Sequence, residues 1–246
     1  MPEPSVLLVG DLHGNVNALQ RAFLQAHYAG ASAIIQLGDF GFGWRLDDGK
    51  CAFTNLVADF VRQSEIRFHF LDGNHENFDL LYAIPKDENG HREVAPGVFH
   101  LHRGSKLSIG STTFLAMGGA YSVDKPNRRE GVSWWPQEAI TDEDVERALA
   151  AGQVDVLLSH DIPRGIQDEE KVAPYLDRIF GTGAAENAFV GQTLLRQVLD
   201  ACGAQRAFHG HLHYFHETWL GAQGEGVLVV GLNKEDEPDS TILLEC

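Results

Sequence analysis

The sequence predicts an α/β protein whose closing half is rich in strands, and three observations carry that prediction. From Ser5 to Leu71, apolar runs of strand length alternate with stretches of helical periodicity, the pattern of parallel strands joined by covering helices. From Val98 to Met117 the runs shorten and are separated by Arg103-Gly104-Ser105 and Gly110-Ser111, as in hairpins. The alternation then resumes. No repeat, low-complexity tract or linker interrupts it, so residues 1–246 are expected to form one domain. A chain of 246 residues can bury a sizeable core without disulfides.

Taken in order, Ser5 to Val9 reads as a buried strand, after which Val16, Leu19, Phe23 and Ala26 recur at helical spacing. Ala33 to Leu37 is a second strand. Phe53, Leu56, Val57, Phe60 and Val61 mark a second helix, and Ile66 to Leu71 a third strand. Val98 to Leu101, Lys106 to Ile109 and Thr112 to Met117 are expected to form an antiparallel meander. Beyond a loop containing Gly and Trp, Thr141 can cap a helix running through Leu149, with Asp144 in capping-box position. Val154 to Leu158 reads as a strand, Asn187 to Ala201 as a helix ended by Gly203, and Gln205 to Phe208 as another strand. The tail from Tyr214 reads as several more.

Hydrophobic residues make up 43% of the chain and charged residues 22%, the balance of an ordinary globular protein. A formal net charge of −16 excludes a broad footprint for polymeric nucleic acid or an acidic membrane surface, which need clustered Lys and Arg. An anionic substrate would need a local reversal of sign, which bound cations supply. Cys51, Cys202 and Cys246 are far apart and in no metal-ligand spacing, as expected of thiols in a reducing compartment. Met1-Pro2-Glu3-Pro4 has no basic segment of a signal peptide, and no run reaches membrane-spanning length. A cytoplasmic protein is expected.

Five polar islands punctuate the chain: Gly10-Asp11-Leu12-His13-Gly14-Asn15, Gly38-Asp39, Gly73-Asn74-His75-Glu76, Ser159-His160-Asp161 and Gly210-His211-Leu212-His213. Together they offer nitrogen and oxygen donors enough for two metal ions. Residues two apart on extended chain project to one side, so Asp11 and His13 can grip one cation, although a lone pair of this kind also serves as a helix cap and a turn. Asp39 suits a carboxylate shared by two ions, or a turn after a strand. Asn74 offers a carbonyl oxygen, and the adjacent His75 is free for proton transfer. Glu76 is read as a first-turn helix residue answering the helix dipole. His160 stands at a strand end, where α/β sheets present their crevices. His211 and His213 repeat the period-two spacing, and His209 is read as a packed neighbour. His27, His69, His91, His100, His102 and His216 are read as structural or surface groups.

The five islands, in this order, resemble the motifs of the calcineurin-like metallophosphoesterases, Asp-x-His, Gly-Asp, Gly-Asn-His-Glu/Asp, His and Gly-His-x-His, from Asp11 to His213. The resemblance implies a four-layer α/β/β/α sandwich carrying a dinuclear centre. It also implies that Asp11, His13, Asp39 and His213 hold one metal and that Asp39, Asn74, His160 and His211 hold the other. A bridging water, its pKa lowered, would attack in line, with His75 stabilising charge or protonating the leaving oxygen. Mn is expected, with Fe, Zn, Co and Ni as alternatives.

Three departures from the phosphatase branch of that family bear on the substrate. Where that branch carries Arg, this chain has Gly43 and Asp72, and Phe42 stands where it has Asp. A monoester dianion benefits from bidentate Arg clamps, so their replacement shifts the expectation towards a diester. The loop from Gly118 to Pro136 resembles small bacterial and phage members. It offers Tyr121, Arg128 and Arg129 with Trp134 and Trp135 to grip a phosphate or stack a base. The same residues also suit an exposed turn with Trp side chains packed beneath it. Phe42 and Trp44 are read as packing residues.

The expected activity is that of a phosphodiesterase on small nucleotides such as cyclic nucleotides. Alternatives are a phosphomonoesterase like the Ser/Thr protein phosphatases, a hydrolase like those of diadenosine tetraphosphate, and a scaffold that has kept the fold but lost catalysis. A scaffold would show eroded ligands, whereas every ligand position and His75 are intact.

Overall fold

The computed structural model describes residues 4–44, 46–47, 50–222 and 226–246. Met1, Pro2 and Glu3 of the N-terminal reading lie outside them. In chain order the elements are β1 (Ser5–Val9), α1 (Val16–Ala29), β2 (Ala33–Gln36), the short strands β3 (Leu46–Asp47) and β4 (Lys50–Cys51), α2 (Ala52–Ser64) and β5 (Arg67–Phe70). There follow α3 (Phe78–Ala83), β6 (Arg92–Ala95), β7 (Val98–His100), β8 (Lys106–Ile109), β9 (Thr112–Met117), α4 (Asp142–Ala151) and β10 (Val156–Ser159). The chain closes with α5 (Glu169–Phe180), α6 (Ala184–Ala201), β11 (Arg206–His209), β12 (His216–Leu220), β13 (Val227–Gly231) and β14 (Thr241–Glu245).

Two six-stranded sheets result, in the orders β14-β1-β2-β5-β7-β6 and β12-β13-β11-β10-β9-β8. Each has four parallel strands inside and one antiparallel strand at either edge. Strand alternation sorts side chains between layers. On β1, Leu7 and Val9 face a core shared with α1 and α2, while Val6 and Leu8 face the second sheet. Leu115 and Leu157 in turn pack under α4 and α6. Three apolar cores therefore separate four layers, α/β/β/α.

The local sequence explains the best-defined helices. In α1 the Asn15 side chain accepts from the backbone N–H groups of Asn17 and Ala18, and Gly30 closes the helix in the left-handed region. Leu19, Phe23 and Ala26 form its buried stripe. Thr141 and Asp144 make the expected capping box.

The meander is corrected. β7 pairs parallel with β5 in the first sheet, and only β8 and β9 pair with each other, in the second. The chain crosses between sheets at Leu101 to Ser105. The sequence pattern does not predict α3, β6 or α5. α3 spans only six residues, too few for a helical period to register, and α5, whose Val172, Leu176 and Ile179 do recur at helical spacing, carries an interior Pro174 that reads as a break. β6 is an edge strand opening on Arg92.

Candidate metal centre

All five islands lie just beyond the C-terminal ends of parallel strands, at one end of the sandwich. β1 leads to Asp11 and His13, β2 to Asp39 and β5 to Asn74 and His75; from the other sheet β10 leads to His160 and β11 to His211 and His213. Asp11, Asp39, Asn74 and His160 are buried. Donor atoms of Asp11, His13 and His213 lie within 4.8 Å of one another, as do those of Asp11, Asp39 and His160. The Asp11 carboxylate does not cap α1; that is the work of Asn15. It lies 2.9 Å from His213 Nε2 and also accepts from the His211 backbone N–H.

Ring orientations are set from behind. The carbonyl oxygen of Leu37, 2.8 Å from His160 Nδ1, can only accept, so that nitrogen carries a proton and Nε2, whenever the ring is neutral, turns a lone pair into the site. There it stands 3.1 Å from Asn74 Oδ1 and 3.5 Å from Asp39 Oδ1. Three acceptors facing one another in a buried space require a proton or a cation between them. Glu235 is 2.7 Å from His13 Nδ1 and leaves His13 Nε2 towards Asp39, at 3.5 Å. The donor set therefore fits divalent cations.

The backbone is strained at the same place. His13, Asp39, His211 and His213 all have φ between 45° and 65°, in the left-handed region that non-glycine residues rarely adopt. Close approach also demands glycine. A Cβ on Gly73 would collide with Asp39 and His160, and one on Gly210 with Asp11.

The charges answer one another. Burial opposes ionisation of Asp39, yet His160, His13 and His75 hold its carboxyl below the usual range. Burial likewise pulls His13 down, but Asp39, Asp11 and Glu235 outweigh it and raise its pKa to about 9. His75 is pulled below its ordinary value by burial, against the influence of Asp39 4.0 Å away.

Glu76 corrects the sequence reading. It precedes α3 rather than belonging to a helix, and its buried carboxylate accepts from the backbone N–H groups of Phe40, Gly41 and Gly73, tying two islands together. Burial pushes its pKa up to about 8. Asp72 is buried against the Arg103 guanidinium, 2.5 Å away, and His100, 2.8 Å away. That arginine also donates to the carbonyls of Gln137, Glu138 and Ala139.

In the loop after β9, Arg128 donates to the Asn74 carbonyl, to Ser122 Oγ, to Glu138 and to the Ser133 carbonyl. Its N–H groups are thus engaged by the protein itself. Arg129 is exposed and Tyr121 half-buried beside Ser122. Trp134 lies against Lys125, while Trp135 is buried and donates to Asp79. Trp44, read as packing, is exposed instead, 6.0 Å from the His75 ring, and donates to the His75 carbonyl. Trp44, His75, Arg128, Val132, Ser133 and Trp135 line a cavity of about 300 Å³ beside the site. As expected, His209 is a packed neighbour, paired with His216.

Sequence reasoning misses the roles of Glu76, Arg103, Ser122, Glu138 and Glu235. The Glu that ends the third island is the one signal available, and its spacing suggests only a helix residue.

A family model described as calcineurin-like phosphoesterase matches residues 4–215, every island included. The chain is a calcineurin-like phosphoesterase. The family is one of dinuclear metal enzymes that hydrolyse phosphate esters. A lariat debranching enzyme of Schizosaccharomyces pombe is 29% identical over 153 residues, 58% of this phosphoesterase and 32% of that enzyme, so the chain aligns with about a third of its length. Among solved structures, a dimetal phosphatase from Danio rerio is similar at a TM-score of 0.57 and 14% identity, covering 95% of this chain and 88% of the other. A protein of Thermus thermophilus is similar at a TM-score of 0.56 and 12% identity, covering 99% of each. At such identities the likeness is one of fold. No helix among the described residues is long and apolar enough to cross a membrane.

Proposed function

We propose that this phosphoesterase is a phosphodiesterase acting on small nucleotides, cyclic nucleotides among them. One cation would be held by Asp11, His13, Asp39 and His213 and the other by Asp39, Asn74, His160 and His211, with Mn the expected metal. When bound, the pair would polarise the phosphoryl group and activate the attacking water. The protein's own contribution is positioning. Glu76 holds the Asp39 and Gly73 turns together, and Leu37 and Glu235 aim the two imidazoles. His75, whose side chain is 35% exposed, would present an N–H to the leaving oxygen.

The observation that carries the diester reading is what surrounds His75. Its cavity is walled by the exposed Trp44 and Val132, able to take an apolar or aromatic second ester group. The two positions that hold Arg in the phosphatase branch are Gly43 and an Asp72 already committed to Arg103. We infer also that residues 1–246 work as one domain, since β14 pairs along all of β1, and that the cytoplasm is the compartment, in keeping with the free thiols of Cys51, Cys202 and Cys246.

With Mn2+ supplied, bis-p-nitrophenyl phosphate is expected to be cleaved with a higher kcat/KM than p-nitrophenyl phosphate, and cyclic nucleotides faster than nucleoside monophosphates. The opposite order across pH and across Mn2+, Zn2+, Co2+ and Ni2+ would restore the monoesterase reading.

A further inference from the structure

Asn74 can serve a cation only through Oδ1, and an amide turned by 180° would offer its NH2 group instead. What prevents that turn is visible in the hydrogen bonds of Ser122. Its hydroxyl has one proton and two lone pairs. The proton goes to Glu138 Oε2, because a carboxylate oxygen can only accept. One lone pair accepts from Arg128 Nη1 at 2.6 Å. Only a lone pair remains for Asn74, 3.0 Å away, so the group facing Ser122 must be the NH2 and Oδ1 must face His160.

Glu138 is fixed in the same sense. Its Oε1 accepts from the Trp135 backbone N–H at 3.0 Å and from Arg128 Nη2 at 3.1 Å, and its Oε2 also accepts from Arg128 Nη1 at 3.2 Å. Arg128 holds the main chain of Asn74 as well, through two bonds to its backbone carbonyl oxygen at 3.1 and 3.2 Å. Ser122, Glu138 and Asn74 are all buried, so water cannot substitute for any of these partners.

We propose that Ser122, Glu138 and Arg128 form a polarity lock that sets the direction of the Asn74 amide and thereby completes the second cation site. Glu138 and Ser122 are positioning residues; neither approaches the reacting atoms. The lock rests on the two-cation reading proposed above, and its chemistry dictates the substitutions that break it. In Glu138→Gln the new amide can donate to Ser122, freeing the hydroxyl proton to bond Asn74 Oδ1 in the turned orientation. Ser122→Ala removes the relay, and Ser122→Thr keeps it.

The test is calorimetric titration of metal-free protein with Mn2+ at about pH 8, above the value of about 7 to which burial pushes the Glu138 carboxyl. Wild-type and Ser122→Thr protein are expected to take up two ions. Glu138→Gln and Ser122→Ala should keep one ion at wild-type affinity and bind the other about tenfold or more weakly. Their kcat on bis-p-nitrophenyl phosphate should recover as Mn2+ is raised, with KM little changed. Two ions binding at wild-type affinity in both variants would overturn the lock, as would equal weakening in Ser122→Thr. Should Glu138→Gln fail to fold, Ser122→Ala with its Thr control carries the test alone. A wild-type titration showing fewer than two ions would instead sink the dinuclear reading.

Discussion

At the scale of single residues, the centre separates groups that would hold cations from one that would hold a proton. Asp39 is the residue whose oxygens meet both halves, Oδ1 facing His160 and Oδ2 facing His13. Asp39→Ala is accordingly expected to lose both Mn2+ ions in metal analysis together with all metal-dependent hydrolysis. His75 stands just outside the donor cluster. His75→Ala should lower kcat by about 10²–10⁴ while both ions remain bound; loss of an ion would make it a ligand instead. The candidate donors were legible in the sequence because each sits one to four positions past the end of a strand, a pattern needing only short-range information. Ser122, Glu138 and Glu235 were not legible. The contacts that give them their roles, Glu138 with Ser122, Ser122 with Asn74 and Glu235 with His13, span 16, 48 and 222 positions, and no local pattern marks such meetings.

Secondary-structure elements explain why those residues converge. Each parallel strand delivers its island to the same edge, and α1 begins directly behind the first island because Asn15 caps it. Asn15→Ala should cost about 1 kcal/mol, read as a lower urea midpoint with an unchanged slope. A change in slope would mean that the substitution altered more than the cap. Strand and helix periodicity revealed β1, α1, β2, α2 and β5 well, since β1 and β2 are unbroken buried runs, β5 is nearly so, and each helix has one plainly apolar face. The same reasoning failed for β7, because three short strands in a row carry no information about which sheet each will join. It failed for α5, where the interior Pro174 argues against a helix despite an apolar stripe at helical spacing.

For the whole molecule, the first sheet and the crossover between the sheets bury histidines whose protonation the fold resists. Burial drives the pKa of His69 and of His102 down to about 3, with nearby cationic side chains adding to it for both. In the unfolded chain each would take up its proton near the ordinary value of about 6.5. Between those limits the unfolded state binds more protons, so stability must fall as pH falls from about 6.5 to about 3, by up to about 1.4 kcal/mol per pH unit for each histidine. Urea denaturation of metal-free protein across that range is expected to show the loss, and His69→Phe should flatten the curve. A slope unaffected by that substitution would place the acid sensitivity elsewhere.

The left-handed turns at His13, Asp39, His211 and His213 limit the chemical alphabet of the centre. Residues that tolerate such a backbone best, glycine aside, are Asn, Asp and His, and these are also oxygen and nitrogen donors. Glutamate or cysteine at any of the four positions would add roughly 1–2 kcal/mol of backbone strain before meeting a metal at all. Attempts to retune metal preference by exchanging ligands are therefore confined by main-chain geometry to a hard-to-borderline donor set. Softer, thiolate-rich variants would have to be built on a differently turned loop.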